Sequence, residues 1–245
     1  MITASTRLVG LIGWPVAGSL SPRMHNAAFA VRGLDWAYVP LPVEQRERLG
    51  GVVRGLAAAG FAGANVTAPY KQEVVAECEE VDDVVAHSGS ANTLLFRDGR
   101  ILGASTDAEV LRDLEASTAA VVGGGGAARA FAAALERRGV SAATFSRRTA
   151  WPPDTAAAEV IVHATPVVDE LLVEVRSHQL IVDLPYRADG APTALVAAAE
   201  KAGCRVIDGV EVLVRQGAAS FRLWTGVAPP LAVMRSAVRP YASSG

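Results

Sequence analysis

The sequence predicts an α/β fold in two domains, on three observations. Short apolar runs alternate with longer stretches of helical spacing along almost the whole chain, a rhythm that implies parallel sheets covered on both faces. The series starts afresh near Thr118, after a stretch that reads as a hairpin, so two sheets are expected rather than one. The 245 residues suit one large domain or two modest ones and can bury a core without disulfides.

In the first series, "RLVGLIG" reads as a strand. "SPRMHNAAFAVRG" reads as a helix, with Ser21 as cap, Pro22 in the first turn and Gly33 as stop. "AYVPLPV" is a second strand and "EQRERLGGVVRGLAAAG" a second helix. "GANVT" is a third strand. "KQEVVAECE", which Lys71 opens, and "VDDVVAHSG" read as short helical pieces. "ANTLLFRDGRILGAS" reads as a hairpin turning at Asp98 and Gly99. In the second series "TAAVVGG" is a strand followed by a helix over 126–138. "VSAATFS", "EVIVHA", "QLIVDL" and "CRVID" are further strands, the last two each preceded by a helical pattern. A helix over 209–225, with a stripe of Val210, Leu213, Gly217, Phe221 and Trp224, and a shorter one from about 230 close the chain. The domain joint is expected near 105–107, with a second crossing near Gly209.

Composition excludes several classes. The net charge is −2 with no basic block, which argues against nucleic acid as a partner. Apolar runs are too short to span a membrane, and the start "MITASTRLVG" lacks the pattern of a signal peptide. Cys78 and Cys204 form neither a disulfide framework nor a CxxC motif, which fits a reducing, cytoplasmic setting. No metal site is expected.

Chemistry concentrates in a few stretches. "VVGGGGAARA" places Gly123, Gly125 and Ala128 in G-x-G-x-x-A spacing between a strand and a helix, the setting a dinucleotide pyrophosphate needs. Where an NAD-selective chain has a carboxylate, this one reads "FSRRT". Arg147 and Arg148 suit a 2′-phosphate, so NADP is expected. In "NVTAPYK", Asn65 and Thr67 share one side of a strand end and Lys71 follows. Only two of the 23 basic side chains are lysines, Lys71 and Lys201, and lysine, unlike arginine, can release a proton. Ser19 and Ser21 stand at a helix start, where two hydroxyls make a mild carboxylate site; Ser21 also serves as a plain cap. Asp107 heads "DAEVL", where a cap and a catalyst read alike. Gln216 lies beside the apolar stripe of its helix, at the rim of the buried face.

Nine ordered stretches, "SLSPRMHN", "GANVTAPYKQEV", "GSANTL", "GASTD", "VVGGGGAARA", "SRRT", "HATPVV", "VDLPY" and "DGVEVLVRQGA", together make the chain resemble the shikimate dehydrogenase family over nearly its whole length. The resemblance implies NADP-dependent interconversion of 3-dehydroshikimate and shikimate in aromatic amino acid biosynthesis. It implies an N-terminal open αβα substrate domain, residues 1–105 completed by 210–245, and a Rossmann-like nicotinamide-binding domain over 106–209. By position it makes Lys71 and Asp107 the catalytic pair, Asp107 holding the amine in place. Ser19, Ser21, Asn65, Thr67, Asn92, Tyr186 and Gln216 become substrate contacts. Gly123, Gly125, Gly126, Ala127, Ser146, Arg147, Arg148, Thr149, Thr165, Leu184 and Gly209 become cofactor contacts. A monomer or homodimer with a small-molecule substrate is implied. Two rivals stay open: a sibling acting on quinate or aminoshikimate, and a nucleotide-binding sensor without turnover.

Three departures from the family pattern stand out. Ala108 follows the aspartate where the family usually has glycine, and His163 and Val168 replace its usual asparagine and glycine. The stretch from Arg147 to the strand near Glu159 is too short for a crossover helix with its loops. That predicts a cofactor bound loosely.

Overall fold

The computed structural model describes residues 2–187 and 189–239. The chain divides into two compact units, one running to Thr106 and resuming at Val214, the other spanning Asp107–Leu213.

Unit one holds a six-stranded sheet. Its strands are β1 (Arg7–Gly13), β2 (Trp36–Pro42), β3 (Gly63–Val66), β4 (Glu80–Val81), β5 (Thr93–Arg97) and β6 (Arg100–Ala104). The order is β2-β1-β3-β5-β6-β4. β1 is parallel to both β2 and β3, whereas β5 is antiparallel to β3 and to β6. The sheet is therefore mixed, not parallel throughout. Two successive residues of positive φ, Asp98 and Gly99, join β5 to β6, which matches the twist of a two-residue hairpin turn.

Three helices belong to this stretch: α1 (Ser21–Val31), α2 (Leu49–Ala58) and α3 (Asp83–Ser88). Ser21 is not the cap of α1. Leu20 holds that position without a side-chain cap, and Ser21 is the first helical residue, followed by Pro22. The second predicted helix splits into a 3-10 turn over Arg46–Arg48 and α2. The predicted helix from Lys71 is only a 3-10 turn over Glu73–Glu77, so Lys71 lies in the turn before it. Pro69 removes a backbone donor just where a helix would have to begin.

Unit two holds a five-stranded, wholly parallel sheet, ordered β11-β10-β9-β7-β8. Its elements in chain order are a 3-10 turn (Asp107–Leu111), β7 (Thr118–Val122), α4 (Gly126–Glu136), β8 (Ser141–Phe145), β9 (Val160–His163), β10 (Leu180–Asp183), α5 (Ala194–Lys201) and β11 (Arg205–Ile207). Phe131 and Leu135 of α4 cover one face with Val110 and Leu111. Leu195 and Ala199 of α5 cover the other with Ala158 and Val173.

No helix joins β8 to β9, as the short spacing predicts. None joins β9 to β10 either, which overturns the helical pattern expected before "QLIVDL". The two irregular connections are stitched to each other. Gln179, almost wholly buried, donates to the carbonyls of Thr155 and Ala158 at 2.9 Å each and accepts from the Arg176 amide at 2.8 Å. The Thr155 hydroxyl donates to the Glu174 carbonyl at 3.0 Å. Buried backbone groups that lack a helix must find such partners.

The chain closes with α6 (Gly209–Thr225), whose residues from Val214 on count with unit one, and α7 (Leu231–Val238), which packs on α1. The buried stripe of α6 in unit one is Val214, Gly217, Ala218, Phe221 and Trp224; Val210 and Leu213, expected in the stripe, are only half-buried. Trp224 packs so tightly on β3 that a Cβ at Gly63 would stand 2.5 Å from its indole nitrogen and 2.2 Å from the Leu94 carbonyl oxygen. That indole N–H donates to the same carbonyl at 3.0 Å.

Between α1 and the sheet lies His25, fully buried. It is stacked on Tyr38 with centroids 4.6 Å apart, and neither ring nitrogen has a hydrogen-bond partner. Burial pushes its pKa from 6.5 down to about 3. The folded protein therefore holds His25 neutral where the unfolded chain protonates it, and stability falls as pH drops from about 6.5 towards 3. Replacing His25 with Phe should flatten the acid limb of urea-unfolding free energy by up to about 1.4 kcal/mol per pH unit over that range. Parallel acid limbs for the two proteins would refute this.

Candidate active site

In unit one the predicted residues meet at the C-terminal end of β3. Asn65 is buried, and its side chain is the hub of a polar network. Its carbonyl accepts from the Tyr38 hydroxyl at 2.9 Å. Its amide reaches the Asn92 carbonyl at 3.1 Å, Thr93 Oγ1 at 3.1 Å and Ser220 Oγ at 3.0 Å. Tyr38 in turn bonds the side chain of Ser21; burial pushes its phenol far up, and the Ser21 bond opposes that. Asn92 continues the network on the other side. Its Oδ1 accepts from the Thr106 amide at 2.8 Å, and its Nδ2 lies 3.0 Å from Thr106 Oγ1 and 3.3 Å from Gln216 Oε1.

The structure thus brings Ser21, Asn65, Asn92 and Gln216 into one connected system. Ser19 lies beside it, accepting from the Ser21 amide at 3.2 Å. Thr67 follows β3 and packs on Gly13, where a Cβ would stand 2.3 Å from its methyl carbon. Lys71, half-buried, lies in the turn that leaves this strand end, and its carbonyl accepts from the Ala91 amide at 2.8 Å. Sequence reasoning missed Tyr38, Thr93, Thr106 and Ser220. The available signal was Ser220, a polar residue on the face of α6 that otherwise buries Gly217, Phe221 and Trp224.

Unit two carries the remainder. Asp107, buried, opens the 3-10 turn at its start, and Tyr186 follows β10. Gly123 opens the turn after β7 with φ 146°, and a Cβ there would stand 2.7 Å from the Ala164 carbonyl oxygen, so only glycine fits. Gly125 is the extended N-cap of α4 and no side chain caps it, which leaves the amides of Gly126 and Ala127 at a helix start without a side-chain partner. The space around Gly125 is open. After β8, Ser146 and Thr149 bond each other at 2.9 Å, and the Ser146 hydroxyl accepts from the Arg148 amide at 3.3 Å. Arg147 and Arg148 are exposed, Arg147 with its guanidinium 5.6 Å from the centre of the Trp151 ring. A helix N-terminus with uncapped amides, room for an anion and two exposed guanidiniums one strand away fit a phosphorylated dinucleotide. Leu184 and Gly209 meet closely on the far side: a Cβ at Gly209 would stand 2.6 Å from the Leu184 carbonyl oxygen. Thr165 follows β9 and lies 2.5 Å from His163. Among the described residues, no three His, Cys, Asp or Glu side chains are grouped to hold a metal ion.

Comparison with known proteins gives a consistent result. The shikimate dehydrogenase substrate binding domain matches residues 11–94, and the shikimate 5′-dehydrogenase C-terminal domain matches residues 209–239. The shikimate dehydrogenase (NADP(+)) of Anaeromyxobacter sp. Fw109-5 is 40% identical over 277 aligned residues, covering 97% of this chain and 98% of its own. That of Methanothermobacter thermautotrophicus is 36% identical over 283, covering 98% of each. Both alignments are longer than this chain of 245 residues, so both relatives carry residues that it lacks. The crystal structure of shikimate 5-dehydrogenase from Thermus thermophilus in complex with NADP(H) and shikimate superposes with a TM-score of 0.83 at 31% identity, covering 95% of this chain and 98% of that one.

Replacing Ser220 with Ala should cost about 1–2 kcal/mol in urea unfolding. It removes a partner from both Asn65 and Thr93 in a buried setting, and the better helix propensity of alanine returns only about 0.5 kcal/mol. Unchanged stability would mean that the network does not need this hydroxyl.

Proposed function

Since the chain belongs to the shikimate dehydrogenase family, we propose that it catalyses the reversible NADP-dependent interconversion of 3-dehydroshikimate and shikimate, a step of aromatic amino acid biosynthesis. The observation that carries this reading is identity to NADP-dependent shikimate dehydrogenases of up to 40% across almost the whole of both chains. The two free thiols, Cys78 and Cys204, support a cytoplasmic setting. Among the described residues no helix is long and apolar enough to cross a membrane.

NADP(H), when bound, supplies or accepts the hydride. The chain's own residues must hold the substrate and move one proton. In the direction of reduction, Lys71 Nζ gives a proton to the substrate carbonyl oxygen, which becomes the hydroxyl; in oxidation it takes that proton back. Asp107 is the second catalytic residue of this proposal. Ser19 and Ser21 receive the substrate carboxylate, and their support is local: Ser21 is freed from capping and held by Tyr38. Asn92, Thr67, Tyr186 and Gln216 address the ring hydroxyls. Asn65 has both its amide donors and its carbonyl engaged within the protein, so its part is to hold the others in place.

For the cofactor, the α4 N-terminus at Gly123, Gly125, Gly126 and Ala127 takes the pyrophosphate. Ser146, Arg147, Arg148 and Thr149 take the 2′-phosphate. Thr165, Leu184 and Gly209 complete the nicotinamide side. The direct test is NADPH oxidation on addition of 3-dehydroshikimate, with NADH and with the quinate-series ketone as comparisons. Turnover confined to NADPH and 3-dehydroshikimate is expected; binding without turnover would replace the enzyme by a sensor.

Replacing Lys71 with Arg keeps the charge but removes the transferable proton, so kcat should fall by about 10²–10⁴ with KM for shikimate largely kept. A variant that keeps most of its kcat would defeat the assignment. Replacing Arg147 with Ala should cut the NADP preference over NAD by about tenfold or more while NAD binding stays nearly constant. Calorimetric Kd values for both cofactors at low and high salt decide this, since exposed guanidiniums lose their hold as salt rises. An unchanged ratio would leave the two arginines as a solvated pair.

A further inference from the structure

His163 stands where the family pattern usually has asparagine, and the structure builds a relay around it. His163 ends β9 and Asp183 ends β10 directly opposite in register. Both are buried. The His163 Nδ1 lies 2.6 Å from Asp183 Oδ1, while the Thr193 hydroxyl donates to Asp183 Oδ2. On the other side of the ring, Nε2 lies 2.5 Å from Thr165 Oγ1. A carboxylate only accepts, so Nδ1 carries a ring hydrogen, and the relay inferred below has Nε2 bare. The Thr165 hydroxyl must then donate inwards, to that nitrogen. Its oxygen keeps two acceptor positions. The Val167 amide, at 3.3 Å, uses one. The other is left for a donor from outside.

The place of Thr165 says which donor. It is half-buried, not sealed in. The carbonyl just before it, on Ala164, is the one that leaves no room for a side chain at Gly123 of the Gly-rich turn. In the sheet order β11-β10-β9-β7-β8, that turn follows β7 and the two arginines follow β8. A dinucleotide with its pyrophosphate over β7 and its 2′-phosphate beyond β8 has its other half over β9, beside Thr165. The N–H donor at that end is the primary carboxamide of the nicotinamide.

We infer that Asp183, His163 and Thr165 form a hydrogen-bond relay that presents the Thr165 oxygen as a fixed acceptor for the nicotinamide carboxamide, with His163 and Asp183 as positioning residues. The inference rests on the NADP reading above and adds a specificity device built on His163. A relay that only braced the loop after β9 would affect all nucleotides alike. The proposed one discriminates a carboxamide from a group of the same shape without N–H.

The test compares NADP+ with its 3-acetylpyridine analogue, which keeps the carbonyl and exchanges NH₂ for CH₃. Kd values are measured by calorimetry on wild type and on the Thr165→Ser, Thr165→Val and His163→Phe variants. Wild type and Thr165→Ser should bind NADP+ about tenfold tighter than the analogue. Thr165→Val and His163→Phe should bring the two within about twofold. Nitrogen NMR of the wild-type imidazole gives a second reading, independent of the variants' folding: His163 should be protonated at Nδ1 and bare at Nε2. A hydrogen on Nε2, in either the neutral or the doubly protonated ring, overturns the relay, as does a wild type that does not discriminate, or a Thr165→Val variant that weakens both ligands equally. In those cases NADP+ still binds and the functional reading survives. Failure of the wild type to bind NADP+ at all defeats that reading and this inference together.

Discussion

A primary amide buried in a sheet has to satisfy two donors and a carbonyl without water, and Asn65 sets that demand at the centre of unit one. Leaving one such group unpaired costs about 1–3 kcal/mol, a large part of a typical net stability. The surrounding structure answers from four directions: Tyr38 from β2, Thr93 from β5, Ser220 from α6 and the backbone of Asn92. These are the elements that must be correctly registered for the strand end to present Ser21, Asn92 and Gln216. The amide therefore acts as a check on assembly. A one-residue slip of β3 would turn Asn65 to the face that buries Val66 and Val74.

Unit two meets the opposite problem with different means. Its parallel sheet is an apolar slab with buried runs in β9 and β10, and parallel strands usually recruit helices to cover both faces. Here α4 covers one face, while the other relies on α5 and on irregular chain. Irregular chain leaves carbonyls without a ladder partner, and Gln179 and Thr155 bond several of them. At the C-terminal ends of β9 and β10, by contrast, strand pairing is reinforced by side chains, His163 and Asp183 bonding each other across the register.

Much of this architecture was legible in the sequence where local chemistry decides it. Asp98 and Gly99 announce a tight turn, the glycines before α4 announce a helix start facing an anion, and the short interval after Arg147 leaves no room for a helix. Reading failed where distant contacts override local preference. "DELLVEV" has helical spacing, yet Val173 is drawn into the core beside Leu195 and Ala199 of α5 and the chain stays irregular. Ser21 looks like a cap, but Tyr38, seventeen positions on, claims its hydroxyl. The partners of Asn65 were illegible for the same reason: Ser220 is 155 positions away, and no spacing rule connects a strand end with the middle of a C-terminal helix. Lys71 stood out by rarity and neighbours, while its place in a turn and not a helix followed from Pro69.

The Gln179 stitch bears on how small such a domain can become. A crossover helix carries its own backbone bonding, so a connection without one must find partners for its buried polar groups elsewhere. A single long amide that spans two neighbouring loops meets that need, because it can be in place before the helix shortens and take over as it goes. Genetic trimming of a nucleotide-binding domain then has a passable route. The exposed stretch around Trp151 and Asp154 is the point where sequence could be trimmed or spliced in with least disturbance to the sheet.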